Sequence, residues 1–182
     1  MVALRPVEPD DKPLLEAGMA RLSPTSRRLR FMAPVDTLTR AQLAYLTEID
    51  HHNHVAWGVM VDDQPVAVAR MVRLTHDPAA AELAIIVVDE YQRRGIARLL
   101  ISLMAELGRA LSIERFVFEA LPENDAILRL LAGFGATYGM SEGVIEGSIE
   151  LAHIPAPSLS GDPLSLALGA QELTDARLNG RD

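Results

Sequence analysis

Residues 79–88, AAAELAIIVV, are apolar at almost every position, with Glu82 the single charge. They lead through DEYQ into RRGIARLLISLMAELGRAL at 93–111. A strand with no polar alternation is buried on both faces, so it sits inside a sheet with helices packed on it. The run that follows has helical spacing in Ile96, Leu99, Leu100, Leu103 and Leu107. The chain therefore passes from a buried strand into an amphipathic helix across a junction that holds two arginines and a glycine.

The flanking pattern extends this outline. VALRPV at 2–7 reads as a first strand, and EPDDKPLLEAGMARLS as a helix with Asp10 or Asp11 as cap and Pro13 in its first turn. SPTSRRLRFM begins a second helix, with Ser23 as cap and Pro24 at its first position. Thr39 and Gln42 have capping-box spacing at the head of a third. VAWGVMV and PVAVARMVRL are strands joined by DDQ, a hairpin turn. After the long helix come the strand RFVFEAL, the helix NDAILRLLAGFG and a last strand VIEGSIEL. The predicted order is βααα-βββ-α-β-α-β, an α/β (α+β) chain with a mixed sheet flanked by helices. From Ile154 the composition turns to PAPSLSGDP, so residues 1–153 form the expected domain. Residues 154–182 are expected to be a Pro/Ser/Gly linker and a possible C-terminal helix capped at Asp162.

At 182 residues, 49% hydrophobic and 23% charged, the chain suits one folded domain. A formal charge of −8 argues against a nucleic-acid surface and favours cationic partners such as a lysine-bearing protein. The absence of cysteine excludes disulfides, thiolate metal sites and an acyl-cysteine. It fits a reducing compartment. No apolar run is long enough to span a bilayer and the N-terminus does not read as a secretory leader, so the expected location is the cytoplasm.

At the junction QRRGIAR, residues 92–98, a helix N-terminus would present unpaired amides and the positive end of its dipole to an anion. Gly95 allows close backbone approach, Ala97 leaves room, and Arg93, Arg94 and Arg98 add donors suited to phosphate. A plain strand-to-helix turn with solvated arginines is the competing reading.

Gln92-x-x-Gly95-x-Ala97 after an apolar strand resembles the pyrophosphate loop of the GNAT superfamily of acyl-CoA N-acyltransferases. The element order is similar as well, which implies the GNAT fold with a mostly antiparallel sheet. ARLSPTSRRLRFMAP, LTRAQLAYLTEID, AELAIIVVDEYQRRGIA and EALPENDAILRLLAGFGA together resemble the catalytic domain of bacterial Pat-type protein lysine acetyltransferases. The likeness runs from about Leu4 to Leu151.

The resemblance implies acetyl-CoA as co-substrate, held at Gln92, Arg93, Arg94, Gly95, Ile96, Ala97 and Arg98, with pantetheine beside Ile85, Ile86, Val87 and Asn124. It implies a lysine acceptor, notably on an acyl-CoA synthetase, and direct transfer in a ternary complex. A backbone N–H near Val87 would steady the oxyanion. A lysine must lose a proton before it attacks, and a carboxylate whose pKa is raised by burial can take it. Glu82 matches the Pat-type catalytic glutamate and Glu119 is the reserve. An ion pair from Glu82 to Arg70 or Arg73, or a solvated strand end, stays open.

Many GNAT enzymes have a tyrosine general acid where this chain has Leu131. DHHNH at 50–54 offers no Cys or Glu-x-x-His companion, so no metal is expected, and it is placed near the acceptor side. Two other functions share the fold: transfer to a small-molecule amine, and an acyl-CoA-binding sensor or partner module. The oligomeric state and the acyl-chain preference are left open.

Overall fold

The structure, a computed structural model, describes residues 2–157. The expected C-terminal helix lies outside the described residues. Twelve elements follow one another: β1 (Val2–Pro6), α1 (Lys12–Ala20), α2 (Pro24–Phe31), α3 (Arg40–Thr47), β2 (His54–Val61), β3 (Gln64–Arg73), β4 (Ala80–Val87), α4 (Ile96–Ala110), β5 (Arg115–Ala120), α5 (Asp125–Ala132), β6 (Thr137–Ser141) and β7 (Val144–Glu150). One seven-stranded sheet runs β1-β2-β3-β4-β5-β7-β6. Every neighbouring pair is antiparallel except β4–β5.

The helix starts follow from their caps. Ser23 accepts from the Ser26 amide, and Thr39 and Gln42 form the reciprocal capping box that their spacing predicts. Asp11 precedes α1 but does not cap it through its side chain. Its carboxylate instead takes two bonds of 2.7 Å from Arg5, at the end of β1.

The faces of the sheet are set by register. Leu83, Ile85 and Val87 of β4 join Met71, Phe116 and Phe118 in one core against Leu100, Ile101, Leu103 and Met104 of α4. Burying each such side chain stabilises the fold by about 1.5–3 kcal/mol. Glu82, Ala84 and Ile86 point to the other face, where α1 and α2 pack, with Met19, Leu22 and Val88 as a smaller cluster.

The expected strand order omits β6. This edge strand is exposed along most of its length, so burial leaves no apolar alternation in TYGMS. Its signal is the Glu142-Gly143 pair, both at positive φ (47° and 90°), which makes the two-residue turn into β7.

Candidate active site

The pairing of β4 with β5 is short. It runs from Ala80 opposite Arg115 to Glu82 opposite Val117 and stops there. Beyond this point β4 follows β3 to Val87 while β5 follows β7 to Ala120, so the two strands part as a wedge. Backbone groups on the facing edges have no strand partner, and such groups need water or a ligand. The opening lies at the carboxyl ends of adjacent parallel strands, where open sheets bind ligands. It is a cleft of about 440 Å³. Leu83–Val87 and the loop residues Tyr91, Gln92, Arg93 and Gly95 to Arg98 form one wall. Phe118, Glu119, Ala120 and α5 form the other, and Ser26, Leu29 and Arg30 of α2 border it.

The loop before α4 has the geometry of an anion cradle. Arg93 and Gly95 have φ of 58° and 83°. Nothing lies within 4 Å of where a Gly95 side chain would begin, so the glycine is required by its dihedral and not by crowding. The first bond of α4 runs from the Leu99 amide to the Gly95 carbonyl, 3.0 Å, and among the described residues no carbonyl takes the amides of Ile96, Ala97 and Arg98. Arg93, Arg94 and Arg98 are exposed, and among the described residues none is in an ion pair. Arg94 and Arg98 lie over the rings of Tyr91 and Phe134, at 5.0 and 4.7 Å. Free amides and unpaired guanidiniums at one helix end suit a pyrophosphate.

Gln92 has a different place from a free phosphate donor. Its side-chain nitrogen donates to the Val87 carbonyl at 3.1 Å and to Ser26 Oγ at 3.3 Å, so it staples the loop to β4 and α2. Asp89 strengthens the same junction. Its carboxylate accepts from the Ser23 amide, Ser23 Oγ and Ser26 Oγ at 3.0, 2.8 and 2.9 Å. Slight burial opposes ionisation, but these bonds hold the Asp89 carboxyl below the usual carboxylate range. The two serines of SPTS thus tie the helix bordering the cleft to the anion loop. Asn124 caps α5, its Oδ1 accepting from the Ile127 amide at 3.4 Å, and it borders the cleft with its side-chain nitrogen free among the described residues.

Glu82 and Glu119 both line the cleft. Glu82 stands at the apex of the wedge on the side of α2. It is exposed, so the burial expected to prime it is absent: strand separation begins at its own position and opens the space in front of it. The open ion-pair reading is also corrected. Val72, not an arginine, lies opposite Glu82. Arg70 bonds to His54 Nε2 and the Leu46 carbonyl, and Arg73 to the carbonyls of Pro78 and Leu111. Glu119 is exposed too, opposite Glu146 of β7.

Cleft residues outside the predicted set include the polar and aromatic side chains of Ser26, Arg30, Tyr91 and Phe118. The signal for Ser26 was the SPTS motif, and Arg30 follows it in the same stretch, SPTSRRLRFM. Leu131 is buried against the core, and Tyr138 packs edge-on to Phe118, outside the cleft lining.

The DHHNH segment is held by Asp50, whose carboxylate accepts from the amides of His52, Asn53 and His54. Among the described residues, no three His, Asp, Glu or Cys side chains gather as a metal site. Burial and the neighbouring Arg70 push His54 down to about 4, from an ordinary value near 6.5. The folded chain then binds fewer protons than the unfolded chain between those values. Stability therefore falls as pH drops from about 6.5 to about 4, and His54 adds no further slope below that. Urea denaturation across this window should show a shallower loss in His54→Gln; an unchanged slope would refute the assignment.

Comparison with known proteins agrees with this architecture. The acetyltransferase (GNAT) domain family matches residues 2–137. Acetyltransferase Pat of Mycolicibacterium smegmatis is 34% identical over 138 residues, 74% of this chain and 41% of that protein. The chain thus spans well under half the length of this relative. The GNAT domain of S. lividans PAT superposes with a TM-score of 0.78 at 26% identity, covering 82% of this chain and 90% of that one. A spermidine N-acetyltransferase from Vibrio cholerae, solved with CoA and spermine, shares the fold at a TM-score of 0.66 and 17% identity, covering 84% and 97%.

Proposed function

The chain belongs to the GNAT acetyltransferase family, which uses acetyl-CoA as co-substrate, and from that premise we propose that it acetylates a lysine side chain on a protein, with Glu82 as the base. The observation that carries this reading is the placement of Glu82. Among the described residues it is an unpaired carboxylate, at the apex of a wedge whose far end is a helix start with free amides.

The free amides of Ile96, Ala97 and Arg98, with the side chains of Arg93, Arg94 and Arg98, would hold the pyrophosphate. The open edge of β4 at Ile85, Ile86 and Val87 would pair with the pantetheine arm, and Asn124 would meet it from the other wall. Bound acetyl-CoA supplies the activated acetyl group. Glu82 takes the proton that the lysine ammonium must lose, and the free amine attacks the thioester carbonyl while unpaired backbone N–H groups on β4 stand where negative charge develops. The new N–C bond forms as the C–S bond breaks, and CoA leaves as a thiolate whose charge is balanced by the second proton shed from the nitrogen. The cleft reaches from Glu82 to the loop before α4 without interruption in its lining, which supports direct transfer in a ternary complex. The sequence resemblance to Pat-type lysine acetyltransferases favours a lysine on an acyl-CoA synthetase as acceptor, and a charge of −8 suits a cationic target.

Incubating the protein with labelled acetyl-CoA and a purified acyl-CoA synthetase tests this. Label should appear on one or a few synthetase lysines, located by mass spectrometry. Tight acetyl-CoA binding without transfer to the synthetase, but with transfer to small amines, would move the reading to a small-molecule acetyltransferase.

A further inference from the structure

Beside the cleft, on the face of the sheet that carries Glu82, lies a second cavity of about 90 Å³ between α1–α3 and β1–β4. Its lining is mostly apolar, yet two arginines that the proton transfer does not use reach it, Arg30 and Arg70. Arg70 is 5% exposed. Its guanidinium donates to the neutral imidazole of His54 at 2.7 Å and to the Leu46 carbonyl at 3.3 Å. Arg30 borders both the cleft and the cavity and rests on the Phe31 ring at 5.1 Å. Among the described residues neither arginine has a carboxylate within salt-bridge distance. The Asp11 carboxylate in the same cavity is already paired with Arg5.

Buried charge without a counter-ion is costly, and a like charge nearby adds to the cost. Burial first, then the Arg30 charge, pushes Arg70 down to about 10. Burial lowers Arg30 as well, against the attraction of Glu82. Glu82, on the same cleft as Arg30, is thus a compensating charge for that arginine, and it is the group that becomes neutral when it takes the proton of the acceptor. At that moment Arg30 would face the cleft, with Arg70 in the cavity behind it, and neither would have a carboxylate to balance it. They would also repel the ammonium that must approach Glu82. A carboxylate carried in by the acceptor removes both penalties.

We infer that Arg30 and Arg70 form a carboxylate subsite, and that the preferred acceptor carries an acidic group close to the amine that reaches Glu82. This rests on the acetyl-transfer reading for its amine, and on the unpaired arginines for its acid. The acid has two sources, an Asp or Glu side chain flanking a target lysine, or the carboxylate of a free amino acid. The shape of the site favours a side chain, because Arg30 stands at the junction of an open cleft and a small cavity.

Two experiments on the full chain test it. The first measures acetylation of lysine peptides in which one flanking position at a time carries Glu or Gln, with free lysine and lysinamide as the small-molecule pair. At one or more positions the Glu peptide should exceed its Gln partner by tenfold or more in kcat/KM. In Arg30→Gln that ratio should fall to about one, with partial recovery in Arg30→Lys. A preference for free lysine over lysinamide without any peptide preference would overturn the side-chain source. Equal use of every acid and amide pair, with turnover intact, would overturn the subsite.

The second experiment follows thermal unfolding with glutarate as probe, which needs no turnover. Glutarate at millimolar concentration should raise Tm in the wild type but not in Arg30→Gln or Arg70→Gln. A rise without acetyl transfer to any acceptor would keep the subsite and discard the transfer reading. No rise in the wild type would overturn the subsite.

Discussion

Replacing Glu82 with Gln is expected to lower kcat by about 10²- to 10⁴-fold while acetyl-CoA binding is retained, the range set by loss of a positioned general base. Gln keeps the shape and the strand register but cannot accept a proton. Glu82 is exposed and makes no ion pair among the described residues, so the fold loses little with the charge. The anion loop lies at the far end of β4, and its amides and arginines do not touch this position. Steady-state kinetics, with calorimetric titration of acetyl-CoA, separate the two effects. A kcat unchanged in the variant would transfer the role to Glu119, the other carboxylate on the cleft wall.

Gly147→Val is expected to destabilise the fold by about 3 kcal/mol, at the upper end of overpacking costs. A side-chain carbon at Gly147 would lie 2.4 Å from Phe118 Cζ, 2.6 Å from Tyr138 Cβ and 2.7 Å from the Thr137 carbonyl. Two of these atoms belong to or adjoin the β6 backbone, so no simple rotamer change relieves the contact. Phe118 and Tyr138 meet edge-to-face across this glycine, with ring centres 6.3 Å apart. Because Phe118 also lines the cleft, the strain reaches the wall that faces β4. Urea denaturation measures the loss. A midpoint equal to wild type would mean that β6 moves aside freely and does not hold Phe118 in place.

Much of the site was legible because its signals are local. A helix start needs a cap or a free anion cradle within four residues, and SPTS, TRAQ and QRRGIA each carry that requirement in their own composition. The change of period from strand to helix at residues 88–96 likewise depends only on neighbours. Gly95 was readable as a special backbone position because few other residues tolerate its φ of 83°.

Other properties depend on partners far away in the chain. Glu82 was expected to be buried, since every residue around it is apolar, but the length of β4–β5 pairing decides its exposure, and that length is set by strands 35 residues apart in sequence, Glu82 against Val117. Gln92 read as a ligand residue until Ser26 and Val87 were seen to engage it. An ion pair from Glu82 to Arg70 or Arg73 was open from the sequence, yet His54 and Leu46 draw the Arg70 guanidinium away, and the carbonyls of Pro78 and Leu111 draw that of Arg73. The edge strand β6 could not announce itself, because exposure removes the alternation by which a strand is recognised. The sequence alone determined the fold family and where its loop and helix ends lie, since hydrophobic period and capping are short-range. Only the tertiary structure decided which charges face the cleft unpaired, because solvation and salt bridges are settled by register and by contacts between distant segments.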